Sequence, residues 1–365
     1  MVIKDTDKMK TISLDLLLDK IRSYEINILG FITTPWHLVG MRAFIEKMKA
    51  EGKYKKHIII VGKHPQTGYV FNENTIPEDA CVLECAEMPI LHESFVKKLV
   101  YLRKLQSSSD DDSLYVVSAW NYRIESAMLI YKYTYRKCIL CKVDEGVATY
   151  MFTSNSLYNS LMTLDLKLLF RYFGSIYAHR LLKRNLNCNL LVKKGSKLVP
   201  NEFIVPYYKK VLNVDNSNVE YIGKDVVIAT MAFADDEVLN NELSIKIEKI
   251  INYLVEKGYN VIVKPHPREN NTKSKYSSMA CRIADKTQSM EEFFMDYRPC
   301  ALISFSSTCL ITAELFYGIK SISMINLLEI NNFSQKYKNE LLSFKSTFAN
   351  VVRFPKKLDE VVLII

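Results

Sequence analysis

The chain has 365 residues, of which 48% are hydrophobic and 24% are charged, and its formal net charge is +9. This composition is typical of a globular protein and excludes a disordered chain. No segment reaches the roughly 18 consecutive apolar residues that a membrane-spanning helix needs. The first residues lack the apolar core of a signal peptide, so we expect a cytoplasmic protein.

The eight cysteines agree with a reducing compartment, because most of them lie in apolar stretches where a thiol packs as a small hydrophobic group. Cys138 and Cys141 form one CxxC pair, but no second pair at zinc-finger spacing accompanies it. We therefore expect these cysteines to bind no metal and to have no redox role. The two D-x-D patterns, at 5–7 and 110–112, lie away from predicted strand ends, and we expect no metal there either.

The first part of the chain alternates apolar, β-branched runs with longer helical patterns, such as those at 36–51 and 92–106. The apolar runs predict strands at 26–32, 57–62, 81–86, 114–120 and 138–143. Near-continuous apolar strands separated by helices are typical of a parallel sheet that is covered on both faces.

A basic window interrupts this alternation. Residues 161–210 contain ten Lys and Arg residues against two acidic ones, so the remainder of the chain is close to neutral. Leu, Phe and Tyr recur among these charges at the spacing of an amphipathic helix. Such a helix can lie on an anionic membrane surface, or its apolar stripe can pack on the protein's own core. No nucleic-acid-binding pattern accompanies the charge, so we expect no nucleic acid partner.

The alternation restarts after the basic window, with helical patterns at 236–257 and 307–317. They separate predicted strands at 225–231, 259–264, 301–305 and 320–325. Two such blocks predict an α/β protein with two Rossmann-like, doubly wound domains that face one another across a cleft. We expect the first domain at 1–210, including the basic segment 155–210, and the second at 211–365.

Ligands of doubly wound sheets bind beyond the carboxyl ends of the strands, so the residues that follow each strand are the candidates for chemistry. The first strand is followed by "TTPWH" at 33–37. Thr34 can cap the next helix, and Pro35 suits its first turn. The alternative is that Trp36 or His37 lines a ligand cleft.

The strand at 138–143 is followed by two adjacent carboxylates and a glycine, in "VDEGVATY" at 143–150. Carboxylates are costly at this position unless they are solvated or paired. A carboxylate that is perturbed by its neighbour and by partial burial can have a pKa suited to general-base catalysis. The glycine permits a sharp turn and a close approach of a ligand. The alternative is a polar turn with a helix cap.

The strand at 259–264 is followed by "PHPRE", in which two prolines flank one histidine. Pro265 and Pro267 lack an amide hydrogen and restrict the residue before them, so we expect His266 to be extended and rigid. The polar residues that follow predict a loop, which favours a functional histidine over one that is satisfied within the core.

The strand at 301–305 runs into a helix through Ser306, Ser307 and Thr308. A helix N-terminus presents unpaired amide groups and the positive end of its dipole, and hydroxyl groups there add donors for phosphate oxygens. The alternative is that these residues cap the helix and have no other role. Together, the carboxylates, the histidine and the hydroxyl groups suit group transfer from a nucleotide-activated donor.

Other nucleotide chemistries lack their motifs, because the sequence contains no GxGxxG, no Walker A and no GxSxG pattern. The order of the motifs that are present resembles the bacterial sialyltransferases with a GT-B fold, of the polysialyltransferase and lipooligosaccharide sialyltransferase type. Those enzymes share a D/E-D/E-G motif, an HP motif and an S-S/T motif. Here these are Asp144-Glu145-Gly146, His266-Pro267 and Ser306-Ser307.

The resemblance implies an inverting, metal-independent transfer of sialic acid from CMP-sialic acid to a sugar hydroxyl of a capsule or lipooligosaccharide, without a cofactor. It implies that Glu145 is the general base, that Asp144 orients or tunes it, and that His266 assists the departing phosphate. The first domain would then be the acceptor side, with Gly146. The second would bind the nucleotide sugar through Ser306, Ser307, Thr308, Pro267, Lys264 and, at the cytidine, Thr230.

The basic window then suggests a peripheral position on the anionic inner face of the cell membrane, through 161–210. Two alternatives stay open. One is another GT-B glycosyltransferase or a polyol-phosphate transferase that uses a different nucleotide donor. The other is a non-catalytic protein that binds membranes or polyanions.

Overall fold

The computed structural model describes residues 11–62, 79–83, 113–119, 133–150, 186–195, 197–214, 221–231, 237–266, 269, 276, 278–286 and 288–365. The chain divides into two compact units. The first draws on Met1–Glu145, Thr153–Leu190 and Asn201–Val211. The second draws on Gly146–Phe152, Leu191–Pro200 and Leu212–Ile365.

The first unit is built on a parallel sheet whose strands, in spatial order, are numbered β1-β4-β3-β2-β5-β6-β7. The order reverses between β2 and β5, which is the signature of a doubly wound sheet. The strands are β1 (Thr11–Ile12), β2 (Ile28–Ile32), β3 (His57–Val61), β4 (Ala80–Leu83), β5 (Leu114–Ser118), β6 (Cys138–Val143) and β7 (Leu186–Cys188). Its described helices are α1 (Leu14–Arg22), α2 (Pro35–Ala50) and α3 (Val205–Val211).

The second unit is built on a five-stranded parallel sheet in the order β12-β11-β10-β13-β14, beside an antiparallel hairpin of β8 and β9. The strands are β8 (Leu191–Lys194), β9 (Lys197–Pro200), β10 (Tyr221–Ala229), β11 (Asn260–Lys264), β12 (Cys281–Ile283), β13 (Arg298–Ser304) and β14 (Lys320–Ser323). Its described helices are α4 (Glu237–Glu256), α5 (Met290–Asp296), α6 (Thr308–Tyr317), α7 (Gln335–Phe348) and α8 (Leu358–Ile364).

Each sheet is central because its strands are apolar on both faces. Ile28 and Leu29 of β2 are completely buried, as are Val226 and Val227 of β10. Fully burying a side chain of this size stabilises the fold by about 1.5–3 kcal/mol relative to leaving it in water. The continuous apolar runs in the sequence therefore correspond to strands that helices cover on both sides.

The predicted α/β class with two Rossmann-like units, the building blocks of a GT-B fold, is confirmed. The helices predicted at 36–51, 236–257 and 307–317 agree with α2, α4 and α6 to within one residue at each end. The helix predicted at 92–106 lies outside the described residues, as do both D-x-D patterns.

Elements that the sequence did not predict are β1, β7, β8, β9, β12 and the helices α1, α3, α5, α7 and α8. All of them except α7 have fewer than ten residues, which is too few for a periodic pattern to stand out. The domain boundary between 210 and 211 stays a prediction, although the chain passes between the compact units several times before residue 212.

No helix in the described part of the chain combines the length and the hydropathy that a membrane span requires. Most of the predicted basic amphipathic segment, from 155 to 185, lies outside the described residues. Its later part forms the β8–β9 hairpin, where Lys193 and Lys197 are exposed. Lys210, in α3, forms an ion pair with Glu46 at 2.7 Å.

Candidate active site

Glu145 lies in the first unit, two residues beyond the carboxyl end of β6. Its side chain is half-buried, and burial raises its pKa above the ordinary value for a glutamic acid. The positive charge of Lys142 opposes this shift, and the negative charge of Asp144 adds to it. A carboxylate with a raised pKa is a stronger base than an ordinary glutamate, which suits it to removing a proton.

Asp144 is completely buried, and both of its carboxylate oxygens accept hydrogen bonds. The indole Nε1 of Trp36 donates to Oδ1 at 3.4 Å, and the backbone amide of Leu190 donates to Oδ2 at 3.1 Å. Asp144 therefore anchors the loop after β6, and its negative charge helps to raise the pKa of Glu145. This arrangement suits the orienting and tuning role that the sequence predicted for Asp144.

The "TTPWH" segment caps α2. The Thr34 hydroxyl accepts from the backbone amide of His37 at 3.2 Å, and Pro35 occupies the first turn. His37 is 2% exposed, and its Nδ1 lies 3.1 Å from the Thr33 hydroxyl. The capping interpretation is confirmed, and His37 is buried in the first unit.

Trp36 has a structural role that the sequence did not reveal. It bonds to Asp144 and packs against Tyr208 with ring centroids 5.6 Å apart. Its link to Asp144 spans 108 positions in sequence, so no local pattern could predict it.

Gly146 and Thr308 are in direct contact within the second unit. The Thr308 Oγ1 accepts from the backbone amide of Val147 at 3.1 Å. Gly146 has φ +104°, in the region that favours glycine, and a Cβ at this position would overlap with Thr308 Oγ1. The motif glycine is therefore required by its backbone conformation and by the close approach of Thr308.

Three neighbouring strands of the second unit, β11, β10 and β13, present the other candidate residues at their carboxyl ends. All three are parallel, so these ends lie along one edge of the sheet. The backbone amide of His266, after β11, donates to Thr230 Oγ1 at 2.8 Å. The backbone amide of Ser306, after β13, donates to Met231 Sδ at 3.2 Å. The end of β10 thus joins the histidine and the serine motifs.

Thr230, which was predicted to bind the donor, makes hydrogen bonds within the fold. It is 4% exposed, and its hydroxyl accepts from His266 and donates to the Glu269 carboxylate. These contacts make it a positioning residue for the backbone of His266. Pro267, the second residue of the HP motif, lies outside the described residues.

Lys264, which was also predicted to bind the donor, makes hydrogen bonds within the fold. It is 4% exposed, and its ammonium group donates to the backbone carbonyls of Asp285 and Gln288, at 2.6 and 2.7 Å. Burial lowers its pKa. Lys264 therefore ties the end of β11 to the loop before α5.

Ser306 and Ser307 do different things at the start of α6. Ser307 is the N-cap, and its hydroxyl accepts from the amide of Cys309 at 3.4 Å. The amide and hydroxyl of Ser306 both face the thioether of Met231, at 3.2 and 3.8 Å. A thioether is a weak acceptor, so a phosphate oxygen would be a stronger partner for these donors. Met231 and Glu269 contact these candidate residues, and the sequence did not reveal either contact.

No group of three or more His, Cys, Asp or Glu side chains that could hold a metal ion occurs among the described residues. Cys138 and Cys141 are buried in β6, and burial raises the pKa of the Cys138 thiol to about 12. A thiol with this pKa stays protonated at neutral pH and packs as a small apolar group.

Several solved structures are similar in overall fold. A sialyltransferase from Photobacterium damsela is 14% identical, with a TM-score of 0.44, over 90% of this chain and 81% of the other. An alpha/beta-galactoside alpha-2,3-sialyltransferase from Photobacterium phosphoreum is 11% identical, with a TM-score of 0.44, over 97% and 100%. A UDP-GlcNAc 2-epimerase from Methanocaldococcus jannaschii is 12% identical, with a TM-score of 0.48, over 92% and 90%. Identities and TM-scores this low assign no activity.

A comparison with curated proteins finds no significant sequence relative. The family model for alpha-2,8-polysialyltransferase (POLYST), in contrast, matches residues 28–326. This match includes all three motifs and extends over most of both units. The chain therefore belongs to the alpha-2,8-polysialyltransferase family, and it is a glycosyltransferase of the sialyltransferase kind.

Proposed function

We propose that this protein transfers sialic acid from CMP-sialic acid to a hydroxyl group of a bacterial surface glycan, such as a capsule or a lipooligosaccharide, and that it inverts the anomeric centre. The observation that carries the proposal is the edge of the second sheet, where His266 and Ser306 both contact the end of β10. A histidine and a pair of serines on neighbouring strand ends suit the binding of a nucleotide phosphate.

Glu145 is the general base in this proposal. It removes the proton from the acceptor hydroxyl as the hydroxyl attacks the anomeric carbon of sialic acid. Its raised pKa supports this role, because the free energy of proton transfer becomes more favourable as the base becomes stronger. Asp144 contributes through its negative charge, which disfavours a second charge on Glu145.

His266 and the serines act on the leaving group. As the bond between sialic acid and CMP breaks, negative charge develops on the phosphate oxygens, and donors that already point there stabilise the transition state. The imidazole of His266 donates a proton or a charged hydrogen bond. The amide and hydroxyl of Ser306 exchange the Met231 thioether for a phosphate oxygen, and the first turn of α6 adds its dipole.

Neither a metal ion nor a cofactor takes part in the proposed chemistry, since the histidine and the hydroxyl groups supply the leaving-group stabilisation. The partners are therefore the nucleotide sugar and the glycan acceptor. We further propose that the basic segment 161–210 attracts the enzyme to an anionic membrane surface. Exposed lysines of the β8–β9 hairpin support this part of the proposal.

The test is incubation with CMP-sialic acid and a panel of galactosides and sialylated oligosaccharides, with products identified by mass spectrometry. We expect the acceptor to gain the mass of one or more sialic acids. The transfer should continue in the presence of EDTA, and proton NMR of the new linkage should show an inverted anomeric centre. Glu145→Gln should lower the rate about 10²–10⁴-fold. Glu256→Gln, on the exposed end of α4, is the matched control and should leave the rate unchanged.

Two outcomes would contradict the proposal. Turnover of CDP-glycerol or of a UDP-sugar in place of CMP-sialic acid would assign a different donor. If Glu145→Gln and His266→Ala both left every activity intact, the motif residues would have no catalytic role.

A further inference from the structure

Thr308 makes a contact that the motif pattern does not explain. Ser307 already caps α6 through the amide of Cys309, so the cap does not need the Thr308 hydroxyl. Thr308 Oγ1 accepts a hydrogen bond from the amide of Val147, 161 positions away in sequence, and neither a helix cap nor a phosphate-binding role accounts for that bond. Both residues belong to the second unit.

The turn that Thr308 contacts is otherwise well fixed. Residues Val147–Thr149 form a short 3-10 helix, and the Thr149 amide donates to the Gly146 carbonyl at 3.0 Å. The Tyr150 hydroxyl accepts from the Leu191 amide at 3.0 Å, and its ring packs edge-on against Phe348. The chain after Gly146 is thus anchored to the second unit at several points.

Gly146 is the joint between this anchored turn and Glu145. Glycine has the widest range of backbone angles of any residue, so the peptide bond before it would otherwise sample many directions. Thr308 restricts the backbone angles at Gly146. Its Oγ1 leaves no room for a Cβ on the glycine, and it accepts a hydrogen bond from the amide of the next residue, Val147. The hydroxyl therefore acts where the loop has the most conformational freedom.

We propose that Thr308 is a positioning residue for the general base: its hydroxyl holds the Gly146–Val147 turn and thereby fixes the backbone direction from which Glu145 extends. This inference rests on the proposed role of Glu145. It replaces the expected donor-binding role of Thr308, and it makes one motif serve both halves of the reaction, with Ser306 and Ser307 at the leaving group and Thr308 at the base loop.

The test compares Thr308→Val, which keeps the shape but lacks the hydroxyl, with Thr308→Ser, which keeps the hydroxyl. We expect Thr308→Val to lower kcat up to about 100-fold, because a base displaced by about 1 Å loses that much rate. The KM for CMP-sialic acid should stay unchanged, and Thr308→Ser should retain most of kcat. A raised donor KM at unchanged kcat in Thr308→Val would show a phosphate ligand and overturn the proposal.

A double-mutant cycle tests whether Thr308 acts through Glu145. In a Glu145→Gln background, Thr308→Val should cause little further loss of kcat, because the base that it positions is already absent. Fully additive losses would overturn the proposal. Thermal unfolding of each variant shows whether a loss of rate reflects a loss of folded protein.

Hydrogen–deuterium exchange separates this inference from the proposed function, because it needs no turnover. In the wild-type protein the Val147 amide should exchange slowly. Its exchange should accelerate in Thr308→Val and remain slow in Thr308→Ser. If exchange behaves in this way while the wild type transfers no sialic acid, the proposed function is wrong although Thr308 holds the turn. If exchange is the same in all three proteins, Thr308 does not hold the turn, and the inference is wrong whatever the activity.

Discussion

At the scale of single residues, the candidate site contains a carboxyl group, that of Glu145, whose surroundings disfavour its ionised form. Glu145 is half-buried beside Asp144, and both burial and that neighbouring charge disfavour its ionised form. The interactions of Asp144 with Trp36 and Leu190 hold this arrangement in place. A group with a raised pKa lowers the free energy of unfolding when it is ionised, so the property that supports the proposed catalytic role of Glu145 should weaken the fold.

The first prediction follows from the sign of this shift. Because the pKa of Glu145 is higher in the folded than in the unfolded state, the folded protein binds more protons between the two pKa values. Its stability therefore falls as the pH rises through that interval and stays lower above it. Glu145→Gln, which cannot ionise, should unfold at a higher temperature than the wild type at pH 7, even though we expect it to be less active.

The same comparison at an acidic pH, below the unfolded pKa, is the control, because both proteins are then neutral at this position. There the difference in unfolding temperature should vanish. A Gln variant that was no more stable than the wild type at pH 7 would contradict a raised pKa. For transfer activity, the acidic limb of the pH–rate profile should lie above the range of an ordinary glutamate.

At the scale of secondary-structure elements, the motifs lie where parallel strands end and helices begin. β11, β10 and β13 are neighbours in the sheet, so residues 230–231, 266 and 306 meet at one edge although they are far apart in sequence. This convergence was predictable, since it follows from the rule for strand ends in doubly wound sheets. The sequence could not predict which polar side chains form hydrogen bonds within the fold, because those bonds depend on contacts between distant loops.

Lys264 provides the prediction at this scale. Its ammonium group joins β11 to the loop before α5 through two backbone carbonyls. Lys264→Met keeps the apolar stem and leaves both carbonyls without their charged donor, which should cost about 1–3 kcal/mol of unfolding free energy. We expect an unchanged KM for CMP-sialic acid, because the ammonium group donates to two backbone carbonyls within the fold.

Denaturant unfolding and donor kinetics on the same variant measure both quantities. The matched control is Lys320→Met, because Lys320 is exposed and bonds to the carbonyl of Ile365, so its loss should have little effect on stability. A variant of Lys264 with wild-type stability and a raised donor KM would restore the phosphate-binding role that the sequence predicted.

At the scale of the whole molecule, the acidic motif spans the division between the two compact units. Asp144 and Glu145 belong to the first, and Gly146 begins the part of the chain that belongs to the second. The positive charge is also unevenly distributed, because most of the net charge lies in residues 161–210. Such asymmetry favours association with an anionic surface, and each Lys or Arg near such a surface contributes about 1 kcal/mol.

The prediction at this scale is that the full chain binds vesicles that contain anionic lipid. Lys193→Gln combined with Lys197→Gln should weaken binding up to about 30-fold, which corresponds to two charges. The control combines Lys56→Gln with Lys286→Gln, two exposed lysines outside the basic window. Sedimentation with vesicles measures the bound fraction, which should fall as salt shortens the Debye length from about 10 Å at 0.1 M. Binding that is indifferent to salt would exclude an electrostatic surface contact.

The sequence by itself determined the α/β class, most of the long elements and the three motifs, because apolar runs, proline and glycine act over a few neighbouring residues. It also identified Glu145 and His266 as candidates, since unusual residues at strand ends are visible without coordinates.

Only the tertiary structure decided which candidate residues form hydrogen bonds within the fold. Thr230 and Lys264, which were predicted to bind the donor, make buried hydrogen bonds within the fold, while Thr308 bonds to an amide 161 positions away. Sequence patterns do not encode such pairings, because the partners come together only when the strands and loops have packed. The free energy of a buried polar group is then decided by the partner it meets there.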